Sequence, residues 1–214
     1  MNAWLEPIMV AIVLMNLILV ASGRLSACIR IVAFQGIAVG LLFMVADVYP
    51  PTTDRLLFIF ASMILKGFVF PWLLFQAIRE ANVRREVEPF VSYPVSVAIC
   101  IMTLVISIWL GGRLPMPRPV LSPLVVPVAL STIFCGFFVI VSRPKALTQV
   151  LGYLVIENGI YIFGTALLLE QSVLVELAIL LDIFVAVFVM GIMIFHISRE
   201  FDHIDTQRLS ELKD

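Results

Sequence analysis

Three charged residues, Lys66, Glu157 and Asp182, stand in the middle of long apolar stretches of the sequence. A charged side chain at the centre of a bilayer costs about 2.5–3.5 kcal/mol on insertion scales, so such residues are rare and commonly mark ion pathways or proton relays. An amine and two carboxylates can bind and release protons when neighbouring charges and burial oppose one another. The three residues therefore predict a relay for protons, or part of a sodium path, inside a membrane protein.

Two of these charges have polar or irregular neighbours. Pro71 lacks an amide hydrogen, so the carbonyl of Gly67 loses its helical partner directly beside Lys66. Asn158 follows Glu157 and offers a donor and an acceptor without a charge. Both features favour contact with water or with a mobile proton.

Weaker candidates surround this set. His196, near the end of the last apolar stretch, could pass protons at neutral pH, although an interfacial histidine without that role is the simpler interpretation. Glu170 and Glu176 are interpreted as solvated residues on either side of a loop. The structural alternative for the buried charges is that they only fix helix pairing, or that Asp182 caps a break in its helix.

The composition places these residues in lipid. Of the 214 residues, 62% are hydrophobic and only 14% are charged, and the mean hydropathy is +1.10. A soluble domain carries about 25% charged residues. The sequence is therefore that of an all-α membrane protein with several spans. The net charge of −1 gives no basic field for nucleic acid.

Cysteine usage indicates no metal or disulfide chemistry. Cys28, Cys100 and Cys135 lie in or beside apolar stretches, without a CxxC motif or a histidine at ligand spacing. Buried apolar filler is the expected role. The sequence also lacks a nucleophile–base pair and a Gly-rich phosphate loop. We therefore expect no catalytic residues, no metal site and no cofactor bound by this chain alone.

Seven apolar segments are long enough to cross a bilayer, which takes about 20 helical residues. The first has no basic segment before it, so we interpret it as a retained helix rather than a cleaved signal peptide. Proline, glycine and arginine separate most of the segments. The predicted spans are 5–23, 30–48, 56–78, 91–111, 120–142, 147–169 and 173–197.

Basic residues in the loops predict the orientation. Cytoplasmic loops carry an excess of Lys and Arg. With seven spans, ten basic residues fall on one side and three on the other, which places the N-terminus outside and the C-terminus in the cytoplasm. The ten are Arg24, Arg30, Arg79, Arg84, Arg85, Arg143, Lys145, Arg199, Arg208 and Lys213, and the three are Arg55, Arg113 and Arg118.

The chain also contains a weak internal repeat of three helices. The segment Phe34-Gln35-Gly36-Ile37 in the second span matches Glu157-Asn158-Gly159-Ile160 in the sixth. One intervening span would let both triplets run in the same direction, which is the parallel type of repeat. The predicted units are 1–80, a connecting helix with loops in 81–119, and 120–214. In this comparison Gln35 is the uncharged counterpart of the Glu157–Asn158 pair.

The second unit resembles a known family. From Arg143 onward the sequence is similar to the three-helix K subunit of bacterial respiratory complex I, and over its full length it resembles hydrogenase-4 component E. The motifs that carry this resemblance are Val155-Ile156-Glu157-Asn158-Gly159, Leu174-Val175-Glu176, Asp182-Ile183-Phe184 with Ala186, and the tail from Ile204 to Lys213.

The resemblance implies a role as an ion-pathway subunit. Such a subunit lies between an antiporter-like pump and the membrane anchor of a redox arm, in the cytoplasmic membrane, as in [NiFe]-hydrogenase or formate hydrogenlyase complexes. The K subunit has one carboxylate on its second helix and one on its third, and Asp182 fits the latter. The carboxylate on the second helix of the K subunit stands four residues before an asparagine that corresponds to Asn158, and at that position this chain has Leu154. Glu157 lies about one turn away from Leu154 on a similar face of the helix.

Two other functions remain open from the sequence. The chain could be a scaffold subunit of such a complex without an ion path of its own. It could also be an independent transporter of small solutes, although the sparse polar residues do not resemble a substrate pocket with several convergent polar groups.

Overall fold

The computed structural model describes residues 4–46, 53–80, 90–114 and 122–166, together with Val187 and Gly191. All regular structure in these residues is helical. The helices are α1 (Leu5–Ala21), α2 (Leu25–Ala46), α3 (Thr53–Ile64), a π-helical turn (Leu65–Val69), α4 (Phe70–Glu80), α5 (Tyr93–Gly111), α6 (Val125–Ser142) and α7 (Ala146–Ala166).

Five of the described helices are long and apolar enough to cross a membrane. They are α2, the continuous helix that joins α3 to α4 through the π turn, α5, α6 and α7, while α1 is a shorter apolar helix of 17 residues. The prediction of an all-helical, multi-pass membrane protein is thereby confirmed. The seventh predicted span, 173–197, contains Asp182 and His196 and lies outside the described residues. The count of seven and the repeat therefore stay predictions.

Two helices begin five residues away from their predicted starts. Helix α2 begins at Leu25 rather than at residue 30, so Arg30 lies within the helix with an exposed side chain instead of in a loop. Helix α6 begins at Val125 rather than at residue 120, because Pro123 lies in the preceding turn. Pro127 is tolerated in the first turn of α6, where an amide would have no helical partner.

The helices form two facing hairpins. Helix α1 packs on α2, α6 packs on α7, and the hairpins meet where α1 contacts α6 and α2 contacts α7. Two glycines bring α6 and α7 together, since a methyl group on Gly136 would lie 2.7 Å from the carbonyl oxygen of Gly152. Small residues at such a crossing let backbones approach closely, which drives helix association in lipid. The outer helices are α5, on α1 and α6, and the α3–α4 helix, on α2.

The core has two apolar clusters with a layer of polar side chains between them. One cluster surrounds Leu19, Val32 and Leu151, and the other surrounds Met9, Leu42 and Ile162. Along α1, α2, α6 and α7 a buried polar position separates the residues in the first cluster from those in the second, and Lys66 joins the same layer from the π turn. We call these side chains the polar layer: Asn16, Gln35, Lys66, Thr132, Glu157 and Asn158.

A buried arginine closes one end of the bundle. Arg143, in the short connection between α6 and α7, is only 3% exposed. Its Nη2 donates to the carbonyl oxygens of Leu19 (3.3 Å), Val20 (3.1 Å) and Ser22 (3.2 Å) at the end of α1. The last carbonyls of an α-helix lack partners within the helix and lie at the negative end of the helix dipole. The guanidinium of Arg143 supplies both hydrogen-bond donors and a positive charge at this end of α1. Arg143 therefore joins the two hairpins as well as contributing a loop charge.

We expect Arg143→Ala to lower the free energy of unfolding by about 2–3 kcal/mol, because it removes hydrogen bonds to a charged donor and leaves buried carbonyls unpaired. Thermal unfolding of the purified protein in detergent would measure the change. Arg24→Ala is the matched control, because Arg24 lies in the equivalent connection between α1 and α2 with an exposed side chain. Equal stability of the two variants would contradict the assigned role.

Candidate functional site

An ion pair lies in the polar layer. The Nζ atom of Lys66 is 2.6 Å from Oε1 of Glu157, and their side chains are 5% and 0% exposed. Each residue was predicted to be a buried charge from its place in an apolar span, and the structure brings the two together. Removing such ions from water costs several kcal/mol each, so their mutual attraction is needed to hold either charge in the interior.

An aromatic ring forms one further wall of this site. The Nζ atom of Lys66 lies 3.7 Å from the ring centroid of Tyr161. Tyr161 is four residues after Glu157 on α7, so both side chains project from the same face of that helix. The edge contact between Phe43 and Tyr161, at 5.7 Å between centroids, fixes the plane of the ring. A ring face attracts a desolvated ammonium, so the ring of Tyr161 is a second favourable contact for the Nζ atom of Lys66.

The π turn positions the lysine. The amide of Phe70 donates to the carbonyl oxygen of Leu65, five residues earlier, instead of to that of Lys66. Pro71 follows directly and has no amide to donate, so regular α-helical pairing cannot continue through this point. The sequence predicted a gap in hydrogen bonding here, and the helix accommodates it as a π turn. Such turns are rare and often occur at functional sites.

Two glycines let α2 approach the π turn. A methyl group on Gly36 would lie 2.7 Å from Cβ of Lys66, and one on Gly67 would lie 2.8 Å from Cγ1 of Ile37. Both distances are shorter than a van der Waals contact. Gly67, a predicted supporting position, thus has its role in close packing, and Gly36 brings α2 against the base of the lysine side chain.

A chain of hydrogen bonds extends the polar layer across four helices. The amide of Asn158 donates to Gln35 Oε1 (3.3 Å), that of Gln35 to Asn16 Oδ1 (2.8 Å), and that of Asn16 to Thr132 Oγ1 (2.9 Å). We call this the amide chain. It connects α7, α2, α1 and α6 in that order. Each group satisfies its neighbour in a region where an unpaired polar group is expensive.

The predicted site residues divide into three groups. Lys66 and Glu157 form the ion pair, Gln35 and Asn158 belong to the amide chain, and Gly67 and Pro71 lie at the π turn, where Gly67 allows close packing against Ile37 and Pro71 interrupts the α-helical hydrogen bonding. Asp182 and His196 lie outside the described residues. Asp182 stands nine residues into the predicted span 173–197, and Lys66 stands ten residues into the predicted span 56–78, which would run in the same direction. A match in depth between Lys66 and Asp182 is therefore expected from the sequence and stays a prediction.

Three residues of the site, Asn16, Thr132 and Tyr161, were not predicted from the sequence. Tyr161 could have been found by its spacing of four from Glu157. Asn16 could have been found as a carboxamide within the apolar first span. Thr132 had no distinguishing signal, because a threonine in a membrane helix commonly bonds only to its own backbone.

The cysteine side chains belong neither to the ion pair nor to the amide chain, although Sγ of Cys135 contacts the backbone carbonyl oxygen of Asn16 at 3.9 Å. All three are buried, as expected of apolar filler. The sulfur atoms of Cys100 and Cys135 are 3.5 Å apart between α5 and α6. Within the described ranges, no three His, Cys, Asp or Glu side chains are grouped as metal ligands would be.

These features define a class of protein: a multi-pass helical membrane protein with a buried lysine–glutamate pair. Comparison with known proteins gives one relative. The chain is 30% identical to the uncharacterized protein Rv0085 of Mycobacterium tuberculosis over 206 residues, which is 95% of this chain and 93% of that protein. The chain belongs to the same family as Rv0085. No protein-family model matches the chain, and no solved structure matches it.

The ion pair predicts a test by double substitution. We expect Lys66→Met alone to destabilise the protein by about 3–5 kcal/mol, because it leaves the carboxylate of Glu157 without its cation. Adding Glu157→Gln should recover most of that loss, since the second change removes the unpaired charge. Unfolding in detergent would compare the variants. A double variant as unstable as Lys66→Met would show that the two side chains are not energetically coupled.

Proposed function

We propose that this chain is a non-catalytic membrane subunit of a respiratory complex of the hydrogenase-4 type, related to complex I. Its buried charges would take part in moving protons, or sodium ions, across the cytoplasmic membrane. The observation that carries the proposal is the Lys66–Glu157 pair, held 2.6 Å apart with both side chains buried. The resemblance of residues 155–159 to the hydrogenase-4 component E family supports the same assignment.

The pair has the chemistry that a relay needs. A proton moved from the ammonium of Lys66 to the carboxylate of Glu157 converts two charges into two neutral groups. Burial favours the neutral state and mutual attraction favours the charged state, so the two effects oppose each other. A charge that arrives nearby, on a partner subunit or on another helix, can then shift the balance and make the pair take up or release a proton.

The remaining parts of the proposal come from the sequence. Asp182, expected at the depth of Lys66, would be the next group of the relay after Glu157, and His196 would lie nearer the cytoplasm. The C-terminus would be cytoplasmic and the N-terminus outside. Redox chemistry and cofactors would belong to partner subunits, among them antiporter-like proteins and the membrane anchor.

A scaffold subunit is the second candidate function. The amide chain and the glycine contacts favour it, because both fix helix register without any need for a mobile proton. In a scaffold, the charges of Lys66 and Glu157 would act only to align helices. The two candidates differ in what happens when the charge of Glu157 is removed but its size and hydrogen bonding are kept.

Glu157→Gln in the intact complex makes this distinction. We expect the variant to assemble and to keep the redox activity of its partners while ion translocation falls to near background, because an amide cannot take up and release a proton as a carboxylate does. Acidification of inverted membrane vesicles, driven by the electron donor of the complex, would measure translocation. Asp182→Asn would test the next predicted relay group in the same assay.

Glu6→Gln is the matched control, since Glu6 is an exposed carboxylate in the first turn of α1 and should leave translocation unchanged. Full translocation in both Glu157→Gln and Asp182→Asn would refute the relay and favour the scaffold. Isolation of the protein from mild detergent without large membrane partners would refute both candidate functions.

A further inference from the structure

The amide chain has a fixed direction, and Thr132 determines it. The hydroxyl of Thr132 donates its proton to the carbonyl oxygen of Val128 at 2.7 Å. With its single proton engaged, Oγ1 can only accept a hydrogen bond from Asn16. Asn16 must therefore turn its NH₂ group toward α6 and its oxygen toward α2. The hydrogen bond from Thr132 to the Val128 carbonyl thus sets the orientation of the Asn16 amide.

The next two amides follow from the first. Because Asn16 presents its oxygen to Gln35, Gln35 must present its NH₂ group to Asn16 and its oxygen to Asn158. Asn158 must in turn donate with its NH₂ group. Every donor in the amide chain points along the chain toward Thr132 on α6. Reversing any one amide would place two donors, or two acceptors, opposite each other. The oxygen and nitrogen positions are thus determined by the network.

With the amides in this orientation, the α7 end of the amide chain is an acceptor, the Oδ1 atom of Asn158. Asn158 is 2% exposed, and no donor among the described residues bonds to its Oδ1 atom. A buried acceptor without a donor costs about 1–3 kcal/mol. Hydrogen bonds in a row also polarise one another, which makes the terminal oxygen a stronger acceptor. The site therefore selects a ligand that can donate a hydrogen bond.

The acceptor lies in the same layer as the ion pair. Asn158 follows Glu157 on α7, and its partner Gln35 precedes Gly36, the residue that packs against Lys66. A buried water molecule needs two to four polar partners. Asn158 Oδ1 supplies an acceptor, and the ammonium of Lys66, which carries three N–H groups, can supply a donor.

We propose that Asn158 Oδ1 binds one internal water molecule beside the Lys66–Glu157 pair, and that Thr132 is a positioning residue that keeps this oxygen turned toward the water. The inference rests on the proposed function, because the water is the group with which Glu157 exchanges its proton. When the pair has taken up one extra proton, Glu157 is a carboxylic acid beside the ammonium of Lys66. On release, this proton moves to the water oxygen and the water passes one of its protons on, so that the carboxylate left behind is again balanced by the ammonium.

Infrared difference spectroscopy in H₂¹⁶O and H₂¹⁸O tests the water site directly in the purified complex. We expect the native protein to show an O–H stretching band of an internal water that shifts on ¹⁸O substitution. Asn158→Leu should abolish the band, since it removes the acceptor. Thr132→Val should shift or abolish the band, since the amides can then reverse. Thr132→Ser should keep the band, since it retains the hydroxyl.

Ser131→Ala is the matched control. The hydroxyl of Ser131 donates to the same Val128 carbonyl at 3.0 Å but takes no part in the amide chain. Its removal should leave the band unchanged. A merely structural role for Thr132 would lower stability in Thr132→Val without moving the band, and that result would overturn the proposal.

Other outcomes separate this inference from the proposed function. Absence of the band in the native complex, a band that depends on sodium ions, or a band that survives Asn158→Leu would each refute the water site, whatever Glu157→Gln does to translocation. The expected band pattern together with full translocation in Glu157→Gln would support the water site while refuting the relay.

Discussion

The structure depends on burying a lysine and a glutamate against each other where neither could be buried alone. Removing each ion from water costs several kcal/mol, and an unpaired charge in this interior would be strongly destabilising. Three features of the chain meet this constraint together. The π turn with Pro71 presents Lys66 to the bundle, Gly36 lets α2 approach the lysine, and Tyr161 covers the ammonium with its ring.

The same constraint explains why the polar residues form one layer. In lipid, polar groups must find partners within the protein, because water is absent from the hydrocarbon region. Grouping them between two apolar clusters lets each side chain serve the next, as the amide chain from Asn158 to Thr132 shows. Above and below this layer, association rests on close packing, of which the Gly136–Gly152 contact is the clearest case. Hydrogen bonds between the polar side chains therefore fix the register of the helices, and close packing of the apolar residues holds the helices together.

The sequence was sufficient to locate the charges but not to pair them. Lys66 and Glu157 stand out because charges in apolar spans are rare, and the all-helical, multi-pass architecture followed from the length of the apolar spans. Position along a span gives depth, however, and not the face of the helix that meets a neighbour. The sequence therefore drew attention to a common depth for Lys66 and Asp182, whereas the contact between Lys66 and Glu157 depends on helix order and rotation. Thr132 was missed for a related reason, since its partner is 116 residues away on α1.

The polar layer contains two chemically different parts, and this division limits where a proton can travel. Neutral amides bind an extra proton poorly, and the direction of the amide chain is locked by the bond from Thr132 to Val128. Carrying a proton along it would require every amide to reverse, against that bond. The side of the bundle formed by α1 and α6 is therefore an anchor. Under the proposed function, protons must enter and leave through the titratable part, where Glu157 and Lys66 meet the π turn. The π turn thus lies on the side of the bundle where protons must move, and the amide chain leads away from it toward α1 and α6.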